Sequence, residues 1–178
     1  LALGVLLALV PPINARWRLE QVGHGGSQDT STSHAPLLMT QGLWATPWQI
    51  GEWTLKGIND ERLIRGLPIL QFDPMLTEIA ERHSQQMAAR SFFAHISPDG
   101  RNLETRLRLN GVRDWRLIAE NLAVHYDWLA PVSAAINGWM MSPGHKQNIL
   151  DARFKYTGIG VAYGANGSLY FTQVFLDR

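Results

Sequence analysis

The hydrophobic period changes along this chain, and the order of the changes constrains the fold more than any other feature. Between Trp48 and Ile64 there is no proline, and the stretch ends at Gly66-Leu67-Pro68, a stop signal for a helix. Asp73-Pro74 then supplies an N-cap followed by proline at the first helical position. Leu76, Ile79, Ala80, His83 and Met87 recur at helical spacing, predicting one apolar face through about Ala89. Ser97-Pro98-Asp99-Gly100 reads as a turn, because proline presets φ and glycine accepts φ > 0. A short helix through Leu103, Leu107 and Leu109 should end at Asn110-Gly111.

Residues 117–124 form an apolar stretch interrupted by Glu120-Asn121, and Pro131 opens a helix expected to reach Met141. Two strand candidates, 156–163 and 169–176, flank Ala165-Asn166-Gly167-Ser168, where Asn166-Gly167 predicts a type I′ hairpin turn. Helices, a strand, helices and then a hairpin imply α+β layers, not a doubly wound parallel sheet.

The N-terminus divides differently. Its apolar run from Leu1 to Val10, followed by Pro11-Pro12-Ile13-Asn14-Ala15, fits a signal peptide or truncated leader over 1–15. The run is too short to span hydrocarbon as a helix, so contact with a membrane is expected only through an uncleaved leader. Residues 16–47 lack periodicity and are rich in Gly, Ser and Thr, which predicts a flexible tether; His24 and His34 there read as solvated bystanders. The globular domain is expected over 48–178, and the protein is expected to be exported to the periplasm, the cell envelope or the exterior.

The formal net charge of +1 gives no basic face, so nucleic acid is excluded as an expected partner. Cysteine is absent, which removes thiol catalysis, thiolate metal ligands and iron–sulfur chemistry. Gly-x-Ser-x-Gly, His-Glu-x-x-His, Walker A and Gly-x-Gly-x-x-Gly motifs are also missing. Any catalysis would then be metal-assisted or general-base hydrolysis.

Three side chains stand out for chemistry. Ser142-Pro143-Gly144-His145 reads as an N-cap and the first turn of a helix to Leu150, where partial positive charge keeps His145 neutral. Its lone pair is then available to a metal or a proton, although a ring that only hydrogen-bonds a neighbouring loop fits as well. His95 lies between Phe92-Phe93-Ala94 and the turn that follows, a placement at an edge. Glu120 lies inside an apolar strand with Ile118 and Leu122 on its own face, so it demands a buried partner. His83 is expected to be a packed, hydrogen-bonded core residue.

The chain from about Ile58 to Phe175 resembles a bacterial member of the CAP superfamily, also called the SCP domain. The resemblance rests on Ile58-Asn59-Asp60-Glu61-Arg62, Phe93-Ala94-His95-Ile96-Ser97-Pro98-Asp99-Gly100, Ala119-Glu120-Asn121-Leu122-Ala123 and the segment from Gly138-Trp139 through Ser142-Pro143-Gly144-His145 to Asn148-Ile149-Leu150. Gly158-Ile159-Gly160 and Tyr170-Phe171-Thr172-Gln173-Val174-Phe175 complete it. It implies a three-layer α–β–α sandwich with a small, mainly antiparallel sheet and an open cleft.

It also implies that His95 and Glu120 match cleft residues that hold a divalent metal, zinc or magnesium, in many relatives. Tyr170 stands where a second family histidine would be, and Ser142 where a second glutamate would be; His145 supplies the other imidazole. The resulting expectation is a ligand-binding module, non-catalytic or weakly so, that takes a lipid, glycan or peptide with or without metal. If the domain is an enzyme, the expectation is a metal-dependent hydrolase working through His95, Glu120 and His145. A purely structural adhesion domain is the remaining reading.

Overall fold

The computed structural model describes residues 45–126, 129–165 and 167–178. The expected leader and nearly all of the expected tether lie outside the described residues. The last tether positions do not behave as tether. Thr46 is the N-cap of the first helix: its hydroxyl accepts from Gln49 N at 3.2 Å, and Gln49 Oε1 accepts from Thr46 N at 2.8 Å. Ala45 offers its carbonyl to the Tyr163 hydroxyl at 2.5 Å. The domain therefore begins a few residues before 48, because Thr46-Pro47 carries the same capping signal as Asp73-Pro74.

Five helices and four strands follow among the described residues: α1 Pro47–Leu63, β1 Gln71–Phe72, α2 Pro74–Arg90, α3 Leu103–Leu109, β2 Leu117–His125, α4 Pro131–Met141, α5 Pro143–Leu150, β3 Tyr156–Tyr163 and β4 Leu169–Asp177. None of the helices is long and apolar enough to cross a membrane. Asp73 Oδ1 accepts from Met75 N at 2.9 Å and Leu76 N at 3.0 Å, so α2 starts where the Asp-Pro pair requires.

The sheet order is β1-β3-β4-β2, with β1 parallel to β3 and the other pairings antiparallel. Every residue of β4 is buried, as an interior strand covered on both faces must be. Alternation then divides its side chains. Leu169, Phe171 and Phe175 pack with Ile50 and Ile58 of α1, Ile136 and Trp139 of α4, and Ile149 of α5. Val174 and Leu176 pack on the opposite face with Leu76 and Ile79 of α2 and Leu107 of α3. The result is the α–β–α sandwich expected from the resemblance.

Helix α2 lies almost directly on β3. A Cβ at Gly158 would sit 2.1 Å from Thr77 N, and one at Gly160 would sit 2.0 Å from Glu81 N. Glycine is required at both positions for backbone to meet backbone. Between them the Ser84 hydroxyl donates to the Gly160 carbonyl at 2.9 Å and shares a 2.8 Å hydrogen bond with the Thr172 hydroxyl.

The β3–β4 hairpin forms as predicted, but its turn differs. Gly167 N bonds Gly164 O at 3.1 Å, Gly164 N bonds Ser168 O at 2.7 Å, and Gly167 has φ of 82°. Gly167 therefore closes a longer loop of the bulged kind and does not occupy the centre of a two-residue turn.

Candidate functional site

Strand β2 pairs only with β4, so it forms one edge of the sheet. Successive side chains of an edge strand reach opposite layers, and Glu120 and Asn121 use this. Glu120 shares a face with Ile118 and Leu122 and points toward the α2–α3 layer, whereas Asn121 points toward α5.

Glu120 is 8% exposed, and both of its oxygens are occupied. Oε1 accepts from His95 Nδ1 at 2.9 Å, and Oε2 takes the Arg106 guanidinium. Arg106 also donates from Nη1 to the carbonyls of His95 at 3.0 Å and Arg101 at 3.2 Å. One buried cation thus fixes both the carboxylate and the main chain carrying the histidine. An ionised carboxylate can only accept, so Nδ1 donates, and in the neutral ring Nε2 is the nitrogen that carries the lone pair. The His95 side chain is 58% exposed while its carboxylate partner is 4% exposed.

On the other face, Asn121 Nδ2 donates to the His145 carbonyl at 3.1 Å, and Asn121 Oδ1 accepts from Asn148 Nδ2 at 2.9 Å. These bonds hold the first turn of α5 against the strand edge. His145 is half-buried there, with its pKa pushed down by burial and, secondarily, by the charge of His95. The direction is the one the sequence reading expects from a helix N-terminus, but its causes are desolvation and the second imidazole. The expected N-cap Ser142 occupies its position without making a side-chain capping bond. The structure thus joins His95 and Glu120 in one hydrogen-bonded chain on one face of β2, holds the main chain of His145 at the same sheet edge through Asn121, and leaves the His145 ring near enough for His95 to influence its pKa.

His83 is fully buried, donates from Nε2 to the Ala94 carbonyl at 3.0 Å and stands 3.4 Å from Ser97 Oγ. Burial, followed by the nearby Arg106 charge, lowers its pKa. It is the core histidine the sequence predicts, and it holds the loop on which His95 rides.

Sequence reasoning missed Arg106 as a site residue. The signal was present: Arg106 lies beside Leu103 and Leu107 on the inward stripe of α3, the same anomaly that marked Glu120. Tyr170, at the position of the absent family histidine, packs with Met87 and Leu122 in the core.

The donor set fits a metal only in part. A catalytic zinc takes three protein ligands, and magnesium prefers oxygen. Glu120 is fully engaged by His95 and Arg106, and no three His, Asp or Glu groups gather closely enough to hold an ion among the described residues. What remains is two imidazoles, with Glu120 behind one of them as an orienting carboxylate. The three-ligand set expected from the sequence would require Glu120 to give up one of these two partners.

The cysteine-rich secretory protein family, CAP, matches residues 55–175. Two Bacillus subtilis proteins align over 120 residues, 67% of this chain: the uncharacterized membrane protein YlbC at 32% identity and the uncharacterized protein YkwD at 34%. The alignments cover 32% and 44% of those proteins, so this chain spans less than half of either. Among solved structures, an extracellular protein containing an SCP domain from Bacillus anthracis superposes with a TM-score of 0.67 at 28% identity, over 83% of this chain and 45% of that one. An outer surface protein of Borrelia burgdorferi shares the fold, with a TM-score of 0.66 at 18% identity over 75% of this chain and 96% of its own. With its sandwich, its Glu-Asn edge strand and a family match over most of the domain, the chain belongs to the CAP (cysteine-rich secretory protein) family.

Proposed function

We propose that this chain is the ligand-binding CAP domain of an exported protein, and that the ligand seats against His95 and His145 at the edge of β2. The observation that carries this reading is the contrast within one hydrogen-bonded chain. Arg106 and Glu120 are buried and fixed, while the ring they orient is more than half exposed. A trio serving only to tie a strand to a loop gains nothing by leaving its last member in water, whereas a binding group needs a buried support and an open face. Phe93 and Ile96, beside His95 in sequence, are 50% and 58% exposed, and Met141, just before the His145 turn, is 85% exposed. Apolar side chains beside two imidazoles suit an amphiphilic ligand, such as a peptide, glycan or lipid with hydroxyl or amide groups. Export is supported by the leader-like run at 1–10 and by the likeness to an extracellular protein of Bacillus anthracis and an outer surface protein of Borrelia burgdorferi.

One observation favours a second reading, hydrolysis. A carboxylate holding Nδ1–H while Nε2 stays bare is the arrangement of an oriented general base. Arg106 already neutralises that carboxylate, so less of its charge is left to stabilise an imidazolium, and binding remains the better-supported function.

The test is histidine side-chain NMR during separate additions of a chito-oligosaccharide, a fatty acid and an unstructured peptide, each with and without zinc chloride. One probe is expected to move the His95 and His145 resonances together, and His145→Ala to abolish the response in a folded protein. Probes that move neither ring, or that act identically on His145→Ala, overturn the reading. Zinc moving both rings without an organic probe makes the site a two-imidazole metal contact, and peptide fragments in the mass spectrum make it a hydrolase.

A further inference from the structure

Beside Arg106, residues of α2, of the loop before α3 and of α3 itself line a half-open cavity of about 140 Å³. Its polar lining is Arg82, His83, Gln86, Arg101, Arg106 and Asn110, with Ile79 and Leu109 supplying apolar wall. Three guanidiniums face this space and no carboxylate does. The acids that pair with them, Glu78 with Arg82, Asp99 with Arg101 and Glu120 with Arg106, are all outside the lining.

Arg106 gives the decisive detail. It is 7% exposed, and its Nη atoms bond Glu120 and two backbone carbonyls. Its Nε is buried and has no hydrogen-bond partner among the described residues. A guanidinium has five N–H donors in a fixed plane, and a bare buried donor on a charged group is costly enough to call for a missing partner. Arg82 and Arg101 have side chains 57% and 50% exposed, and Arg82 Nη1 donates to the amide oxygen of Asn110, another lining residue, at 2.8 Å.

We propose that this cavity binds a tetrahedral oxyanion of phosphate size, free or as the monoester end of a larger molecule. Arg106 receives it from the floor, and Arg82 and Arg101 close over it. Charge-assisted bonds from guanidinium to a phosphate oxygen are the strongest hydrogen bonds such a lining can make, and each of the three guanidiniums, although paired with one carboxylate, has donors left for a second acceptor. Occupancy would place a second negative charge beside Arg106, which also holds Glu120 and through it His95, and this connects the cavity to the support of His95.

The test uses the full chain, titrated with potassium phosphate and separately with glycerol 3-phosphate, with potassium chloride added to hold ionic strength constant. A saturable rise in melting temperature with a Kd of about 1 mM or below is expected, with His83 ring resonances moving because His83 lines the cavity, and His145 resonances staying in place. Arg82→Gln and Arg101→Gln alter exposed side chains, so both variants should fold, and each should weaken binding about tenfold. Equal affinity for the two probes identifies a free anion site, and tighter binding of the ester identifies a site for a phosphorylated molecule. No saturation with a Kd tighter than about 10 mM for either probe overturns the proposal. So does phosphate that shifts His145 and not His83, which places it in the cleft, or binding unchanged in both variants.

Discussion

Arg62 and Arg106 are both buried in the domain, and they meet the cost of burial in opposite ways. Arg62, at the end of α1, is fully buried and gives every donor group to main-chain carbonyls: Nε to Pro68 at 2.7 Å, Nη1 to Ile149 at 2.7 Å and Asp151 at 3.0 Å, and Nη2 to Phe154 at 3.5 Å. Burial lowers its pKa, and the Asp151 carboxylate opposes that shift. Its targets include the last turn of α5, where carbonyls lack helical partners and the helix dipole favours a cation. Arg106 instead gives one edge to a carboxylate, another to the loop carrying His95, and leaves Nε bare. A guanidinium bonded wholly to backbone is scaffold, because nothing it touches can act on a ligand. One that holds a side chain which in turn orients an exposed ring belongs to a site.

The largest effect expected from this comparison is at Arg62. Arg62→Met keeps the volume and leaves four carbonyls without donors around α5, costing about 4–5 kcal/mol in urea denaturation, the upper range for a single substitution. Molecules that still fold should bind at the β2 edge as before, since Asn121 continues to hold the His145 turn. A loss under about 1 kcal/mol would mean that water already serves those carbonyls, and the scaffold half of the contrast fails.

Arg106→Met comes next. It leaves Glu120 buried with His95 as its remaining hydrogen-bond partner, so the expected loss is about 3 kcal/mol, at the lower end for a broken buried ion pair. The double variant Arg106→Met/Glu120→Leu removes both charges and should recover most of that stability, while ligand-dependent shifts of His95 disappear. If the double variant stays as unstable as the single one, Arg106 is scaffold too, acting through the His95 and Arg101 carbonyls, and the distinction drawn here collapses.

How much of this was legible in the sequence follows the range of the interactions. Asp73-Pro74 and the apolar stripe of α2 were readable because capping and helical period act within a few residues. Glu120 was readable as a buried charge in need of a partner, since strand alternation fixes its face. The identity of the partner was not: Arg106 is 14 positions away and His95 is 25, and pairing at such distances depends on how α3 and the loop dock on the sheet. Arg62 meets Ile149 across 87 positions, and only the resemblance to relatives drew attention to its segment. At Asn166-Gly167 the hairpin was legible from composition, but the loop closes between Gly164 and Ser168, with Gly167 taking the positive φ at its end.

The smallest expected effect separates the two layers by pH. His83, on the Arg106 side, and His145, on the α5 side, both have pKa values below the ordinary 6.5, in each case chiefly through burial. The unfolded chain therefore takes up protons on these rings before the folded one does, so stability is complete above pH 6.5 and is lost as the pH falls below it. Melting temperatures of the wild type should decline from about pH 7.5 to about pH 5. His83→Gln should flatten much of that decline, because the ring is fully buried and Arg106 adds to its shift. His145→Asn should flatten it by less, under about 1 kcal/mol, because its ring is partly open to solvent that screens it. A slope that His145→Asn leaves unchanged would mean that its ring titrates as it does in water. The burial and the influence of His95 that lower its pKa would then be absent, and the proposal that the two imidazoles serve one ligand would fail.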